Sequence, residues 1–281
     1  MAYTVAVYIE KGGVTKTTTT VHLAQACARK GLRVLVVDVD AQSHATRWLL
    51  TAESELTINE AVRSPERLRS CIVASRVPGV DVLPGSRKLA LVAESVLKQD
   101  DEGNPRNAYA VLKSLLADLS EYDLIMIDCS PSVSMLNANA IVAADLILVP
   151  TDLADLGFDG ITRLALTLTQ MVRNGLLERV PELAVLLTLV ESKTSRTTTA
   201  IRERIAGIGA RENAPYTVLS NTIRYRTQMK GIFDQRATAY DLVDGGAFKW
   251  SNLKAITEDY NSAATEIATM IVAARKTAAA T

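Results

Sequence analysis

The sequence predicts an α/β fold, a mostly parallel twisted sheet with helices on both faces. Three observations predict it. Apolar runs of strand length alternate with segments of helical length along most of the chain. These runs are near-continuous Val, Ile and Leu, as in strands covered on both faces. The first run, Val5 to Ile9, passes directly into a Gly-Gly turn and a Lys-Thr helix start, an order suited to cradling phosphate.

The elements follow in order. Strands are expected at 3–9, 33–38, 80–83, 123–128, 145–149, 183–189 and 216–219. Helices are expected between them at 16–30, 86–99, 105–120, 133–143, 157–175 and 194–209. In the first helix Val21, Ala24, Cys27 and Ala28 share one face, and Gly31 is placed as its C-terminal stop. Gln99 to Pro105 reads as a solvated loop. A long helix is expected to close the chain from about Leu253 to Lys276, with Thr277 to Thr281 frayed. No stretch reads as an interdomain linker, so residues 1–281 are expected to form one domain, with no N-terminal DNA-reading domain before the first strand.

The chain has 281 residues, of which 48% are hydrophobic, enough for a large core. Its net charge is zero, so bulk charge does not draw it to nucleic acid. Three separated cysteines, Cys27, Cys71 and Cys129, suggest neither a disulfide framework nor a metal cluster and suit a reducing cytoplasm. The first apolar run is too short for a signal peptide, and no run approaches the ~20 apolar residues of a membrane span. His22 and His44 lack metal-ligand spacing.

Residues 10–20 read Glu-Lys-Gly-Gly-Val-Thr-Lys-Thr-Thr-Thr-Thr. Without Cβ atoms, Gly12 and Gly13 let main-chain N–H groups close around phosphate oxygens. The helix that follows points its positive end at them. Lys16 would bring a point charge to the outer phosphates, and Thr17 a hydroxyl to a magnesium ion. Two further strands end in aspartates, Arg33 to Asp40 and Tyr122 to Asp128. Ligands of an open parallel sheet sit beyond the carboxyl ends of the strands, so these carboxylates face the crevice. Asp128 suits magnesium, through water, and either Asp40 or Asp38 suits orienting an attacking water.

Together these residues resemble the ParA family, the deviant Walker-type ATPases that partition plasmids and chromosomes. The family loop K-G-G-x-G-K-T-T is matched by Lys11 to Thr18 apart from Thr15, so it includes Lys11, Gly12, Gly13, Val14, Thr15, Lys16, Thr17 and Thr18. The D-x-D-x-Q motif is matched by Asp38, Asp40 and Gln42. The Y-D-x-I-I-I-D-x-P-P-S motif runs from Tyr122 to Ser132, with Ser130 in place of the first proline. A following N-A-x-x-A-A-D segment is Asn139 to Asp145.

The resemblance implies a P-loop NTPase fold, ATP and Mg2+, and a slow, partner-stimulated ATP hydrolase acting as an ATP-bound homodimer. Lys11 would be the signature lysine that reaches the partner's ATP. Lys16 would contact the β- and γ-phosphates, Thr17 the magnesium, and Asp40 the hydrolytic water. Thr222 and Arg224 would stand near the adenine, where the family usually has proline and asparagine. A ParB-like centromere-binding adaptor is the implied partner, and the implied location is cytoplasmic, on the nucleoid.

Charge is unevenly spread. Residues 192–236 carry 9 basic and 3 acidic groups, whereas residues 1–191 carry 18 and 23. In the resembling family, late basic segments bind double-stranded DNA without sequence preference, which nominates Arg196, Arg226 and Lys230. Rival readings are a ParA-like ATPase positioning a protein cargo, an amide-forming or carboxylate-activating synthase, and a MinD-like membrane-cycling ATPase. For the last, Ile267, Met270 and Ile271 among Ala and Thr read as core packing, so no membrane partner is expected.

Overall fold

The computed structural model describes the chain except residues 14, 89–96, 99–106, 153–154, 192–198, 206, 208–215, 247–251 and 281, and except the side chains of 155–158, 230 and 278–280. Eight strands form one sheet: β1 (Tyr3–Val7), β2 (Val34–Asp38), β3 (Val73–Ala74), β4 (Val80–Leu83), β5 (Leu124–Asp128), β6 (Leu146–Thr151), β7 (Glu182–Val190) and β8 (Tyr216–Arg224). Their order is β3-β4-β2-β5-β1-β6-β7-β8. Every pairing is parallel except that of β3 with β4.

The unbroken apolar runs have a direct structural cause. Successive residues of a strand point to opposite faces, and both faces are packed. In β5, Ile125 and Ile127 enter one core and Leu124 and Met126 the other. The first core contains α3 (Ile58–Arg63), α5 (Val111–Leu116), α6 (Met135–Ala143) and α7 (Asp155–Arg173). The second contains α1 (Lys16–Arg29), α2 (His44–Leu49), α8 (Ala239–Asp244) and α9 (Lys254–Ala280). A one-turn helix, α4 (Leu68–Cys71), lies between α3 and β3. Ile267 and Ile271 of α9 are buried in the second core, and Met270 packs against it.

The structure corrects several boundaries. β3 was not expected, since two residues carry no periodic signal. β8 runs to Arg224 rather than stopping at 219, through the polar stretch Ser220-Asn221-Thr222. The Glu266 carboxylate of α9 accepts the edge N–H groups of Ser220 and Asn221 at 2.8 and 3.0 Å, so β8 needs no further strand there. α5 is shorter than the expected helix at 105–120, and α9 continues to Ala280 instead of fraying after Lys276. The expected helix at 86–99 and the loop at 99–105 lie largely outside the described residues, whereas within the expected helix at 194–209 the described residues 199–205 and 207 are helical.

Strand order positions the site. β2, β5, β1 and β6 are neighbours and parallel, so their carboxyl ends emerge at one edge. Asp38 of β2 stands in register beside Asp128 of β5, which stands beside Val7 of β1.

Candidate functional site

At the loop between β1 and α1, Gly13 has φ 76° and a Cβ at Gly12 or Gly13 would meet no atom within 4 Å. Open space therefore borders the loop at both glycines. Val14 lies outside the described residues. Thr15, the helix N-cap, has φ 70°, a left-handed conformation costly for a β-branched residue. The backbone thus takes the shape that glycine would take, with the side chain tolerated. Its hydroxyl lies 3.4 Å from that of Thr19.

Lys16 is 8% exposed, and its Nζ donates to the carbonyls of Lys11 at 2.7 Å and Ile9 at 3.2 Å. Burial lowers its pKa, while Asp128, Cys129 and Asp40 pull it back up. The ammonium lies across the loop with its donors on main-chain oxygens. Lys11 Nζ is held at 2.7 and 3.0 Å by the two carboxylate oxygens of Asp152, just past β6. Thr18 is partly buried, and its carbonyl accepts from His22 Nδ1.

Asp128 is fully buried. Its carboxylate accepts from Thr17 Oγ1 at 2.8 Å and from Thr20 Oγ1 at 2.9 Å. Burial raises its pKa, Asp38 beside it raises it further, and the two threonine hydroxyls oppose both. Asp38, also fully buried, is raised by burial and by Asp40 against the hydrogen bonds of Thr46 and Asp40. Two neighbouring carboxylates are therefore short of positive charge. The Asp128 carboxylate and the Thr17 hydroxyl at a phosphate loop form a hard-oxygen donor pair that fits a magnesium ion sharing its coordination with phosphate and water. Among the described residues there is no cluster of three or more His, Cys, Asp or Glu suited to a dedicated metal cage.

Asp40 is partly exposed at the mouth of this edge, and its Oδ1 accepts the N–H of Gln42 at 2.9 Å. Asp38 has a different position from the one that water orientation needs. Its oxygens accept from Asp40 N, Thr46 N and Thr46 Oγ1, and none of it is exposed. Of Asp38 and Asp40, only Asp40 reaches solvent.

The structure brings Lys11, Lys16, Thr17, Asp40 and Asp128 to one edge. It does not bring Arg224 to it as a free group. The Arg224 guanidinium donates through Nε and Nη2 to both oxygens of Asp259 at 2.9 Å and to the Ala255 carbonyl, fixing β8 to α9. Thr222 is 2% exposed, and its hydroxyl has no hydrogen-bond partner. Arg226 is partly exposed and donates to the Tyr225 carbonyl. Arg196 and the Lys230 side chain lie outside the described residues.

Sequence reading passed over Thr20, Thr46 and Asp152. Thr20 was findable, because it stands one helical turn after Thr17 on the same face. Asp152 was too, because it follows a buried apolar strand just as Asp40 does. Thr46 gave no signal, being one of three polar residues in a six-residue helix.

This edge of a parallel sheet, with a glycine loop, a helix start, a buried lysine and a threonine on a strand-end aspartate, defines a phosphate-loop nucleotide-binding protein. The family described as AAA domain matches residues 2–179. Plasmid partition protein A of Escherichia coli is 34% identical over 189 residues, covering 61% of this chain and 48% of that protein. Chromosome partitioning protein ParA of Caulobacter vibrioides is 32% identical over 194 residues, covering 68% of this chain and 70% of that protein. The chain thus spans about half the length of the first relative. Among solved structures, cobyrinic acid a,c-diamide synthase of Mycobacterium smegmatis with bound ADP and magnesium superposes with a TM-score of 0.67 at 27% identity, covering 84% of this chain and 91% of that one. The chain belongs to the ParA family of ATPases.

Proposed function

We propose that this chain is a partition ATPase, one domain over residues 1–281, whose hold on DNA is switched by nucleotide through an ATP-bound homodimer. The observation that carries the reading is the second lysine. Lys16 already serves the loop of its own subunit, yet Lys11 stands at the loop mouth, restrained by an acceptor, Asp152, that it can exchange for a more strongly charged one. A triphosphate in the loop would compete for Lys11, and the partner's triphosphate is the acceptor we assign to it. Lysines from both copies then neutralise the shared charge, so the triphosphate stabilises the dimer and its loss releases it.

Gly12, Gly13, Val14, Thr15 and Thr18 would hold the phosphates by main-chain and hydroxyl donors. Thr17 and Asp128 would hold magnesium, which when bound neutralises phosphate charge. Asp40 would orient the attacking water. Thr222 and Arg224 would stand near the base. We further propose a slow, adaptor-stimulated turnover, with a ParB-like protein as adaptor and the cytoplasmic nucleoid as location. Arg196, Arg226 and Lys230 would contact DNA phosphates.

The test is DNA binding with ADP, ATP and a slowly hydrolysed ATP analogue, for wild type and Lys11→Ala. Binding is expected with the triphosphates and not with ADP, and is expected to be lost in the variant. Its logarithm should fall by about 0.9 per decade of salt for each phosphate engaged. DNA binding indifferent to nucleotide contradicts the switch. A synthase like the solved relative predicts instead turnover coupled to a small carboxylate substrate, with no response to DNA.

A further inference from the structure

Three buried groups form a chain that ends on the backbone of Asp40. The N–H of Gly85, in the loop after β4, donates to Thr46 Oγ1 at 2.8 Å. Thr46 Oγ1 donates to Asp38 Oδ2 at 2.7 Å, and Thr46 N donates to the same oxygen at 2.8 Å. The other oxygen of that carboxylate, Oδ1, accepts the N–H of Asp40 at 3.1 Å. Asp38 and Thr46 are buried, at 0% and 9% exposed.

The direction of each bond follows from chemistry. A backbone N–H can only donate, so Gly85 uses a lone pair of the Thr46 hydroxyl and leaves its proton for Asp38. That fixes the hydroxyl rotor. Two donors on Oδ2 then fix the tilt of a planar carboxylate, and with it the position of Oδ1, where Asp40 is held. Gly85 packs so closely that a Cβ there would lie 2.9 Å from Asp38 Cγ and 2.8 Å from Ser43 Oγ. The close approach requires glycine.

We infer that Thr46 is a positioning residue for hydrolysis: its hydroxyl, aimed by Gly85, sets the Asp38 carboxylate that holds Asp40 in place. The inference rests on the reading that Asp40 orients the attacking water. It assigns Asp38 to the loop backbone instead of to the water. Among the described residues no hydrogen bond joins this chain to the phosphate loop or to Thr17, so it acts on turnover and leaves nucleotide binding alone.

The experiment compares Thr46→Val, Thr46→Ser, Gly85→Ala and Asp40→Ala by kcat and by calorimetric binding of a slowly hydrolysed ATP analogue with magnesium. Thr46→Val keeps the shape and removes both hydroxyl bonds. It is expected to lower kcat by ~10- to 100-fold with the affinity changed by less than about twofold. Thr46→Ser is expected to restore kcat to within about twofold of wild type. Gly85→Ala pushes on the same carboxylate and is expected to show the same split; should Thr46→Val not fold, the serine and alanine variants decide. Wild-type kcat in a folded Thr46→Val or Gly85→Ala protein overturns the inference, as does an affinity loss equal to the loss in turnover, or a serine variant as slow as valine. Undiminished hydrolysis in Asp40→Ala overturns the underlying reading of Asp40. An inactive Asp40→Ala beside a fully active Thr46→Val overturns this inference alone.

Discussion

Thr15 occupies a backbone conformation that its own side chain opposes. Its φ of 70° lies in the left-handed region, which costs a non-glycine residue on the order of 1–3 kcal/mol. Glycine removes that cost but gives back part of it through the freedom it adds to the unfolded chain. We expect Thr15→Gly to stabilise the protein by about 1 kcal/mol in urea unfolding, and Thr15→Ala, which keeps a Cβ, to give no gain. Equal behaviour of the two variants would show that Thr15 is unstrained. Single residues also show what sequence can reveal. Lys16, Thr17 and Asp128 were legible because phosphate chemistry demands those types at that spacing. Asp38 was half legible: its place at a strand end was evident, but its saturation by Thr46 and Asp40 depends on a helix 8 residues further on. The pairing of Arg224 was not legible because an arginine's partner lies in tertiary space, here at Asp259, 35 residues away.

Among the elements, the joints around α1 and α9 carry two predictions. His22 of α1 is fully buried; its Nδ1 meets the Thr18 carbonyl at 2.8 Å, and its Nε2 accepts the N–H of Ala239 at the start of α8 at 3.0 Å. Accepting at Nε2 requires the neutral ring with its proton on Nδ1. Burial drives its pKa down from 6.5 to about 4, against the Thr18 bond and Asp241. The unfolded chain therefore takes up a proton as pH falls from 6.5 towards 4 while the fold does not, so this histidine's contribution to stability is whole above 6.5 and is lost below it. The raised carboxylates Asp38 and Asp128 act in the opposite sense, so the measurement is a difference. The stability of wild type relative to His22→Gln should shrink by about 2 kcal/mol between pH 7 and pH 5; a difference independent of pH contradicts the neutral assignment.

The joint of β8 and α9 carries the other prediction. Glu266 accepts from Ser220 N, Ser220 Oγ, Asn221 N and Asn221 Nδ2. Glu266→Ala is expected to cost about 1–3 kcal/mol and to speed hydrogen exchange at Ser220 and Asn221. Unchanged protection at those amides would remove Glu266 from its role as cover for the edge. This joint also explains why half of β8 escaped the sequence. Central strands such as β2 and β5 announce themselves by unbroken apolar runs, whereas an edge strand satisfied by a distant carboxylate can be polar.

Across the whole molecule, eight strands bring four carboxyl ends to one edge, and that edge carries both lysines and the three aspartates Asp38, Asp40 and Asp128. The mostly parallel sheet was legible because strands alternate with helices along the chain, whereas the strand order was not. The pairing of Lys11 with Asp152 was not, because it joins residues 141 positions apart. If Lys11 serves a second copy, the Asp152 pairing is the resting place of that cation in the free protein. The decisive experiment is sedimentation velocity of wild type and Lys11→Ala, in saturating ADP or a slowly hydrolysed ATP analogue with magnesium. A doubled mass is expected for wild type with the analogue, a single copy with ADP, and a single copy for the variant in both. A wild-type protein that stays at the mass of one chain in saturating analogue and magnesium would refute the shared-triphosphate dimer.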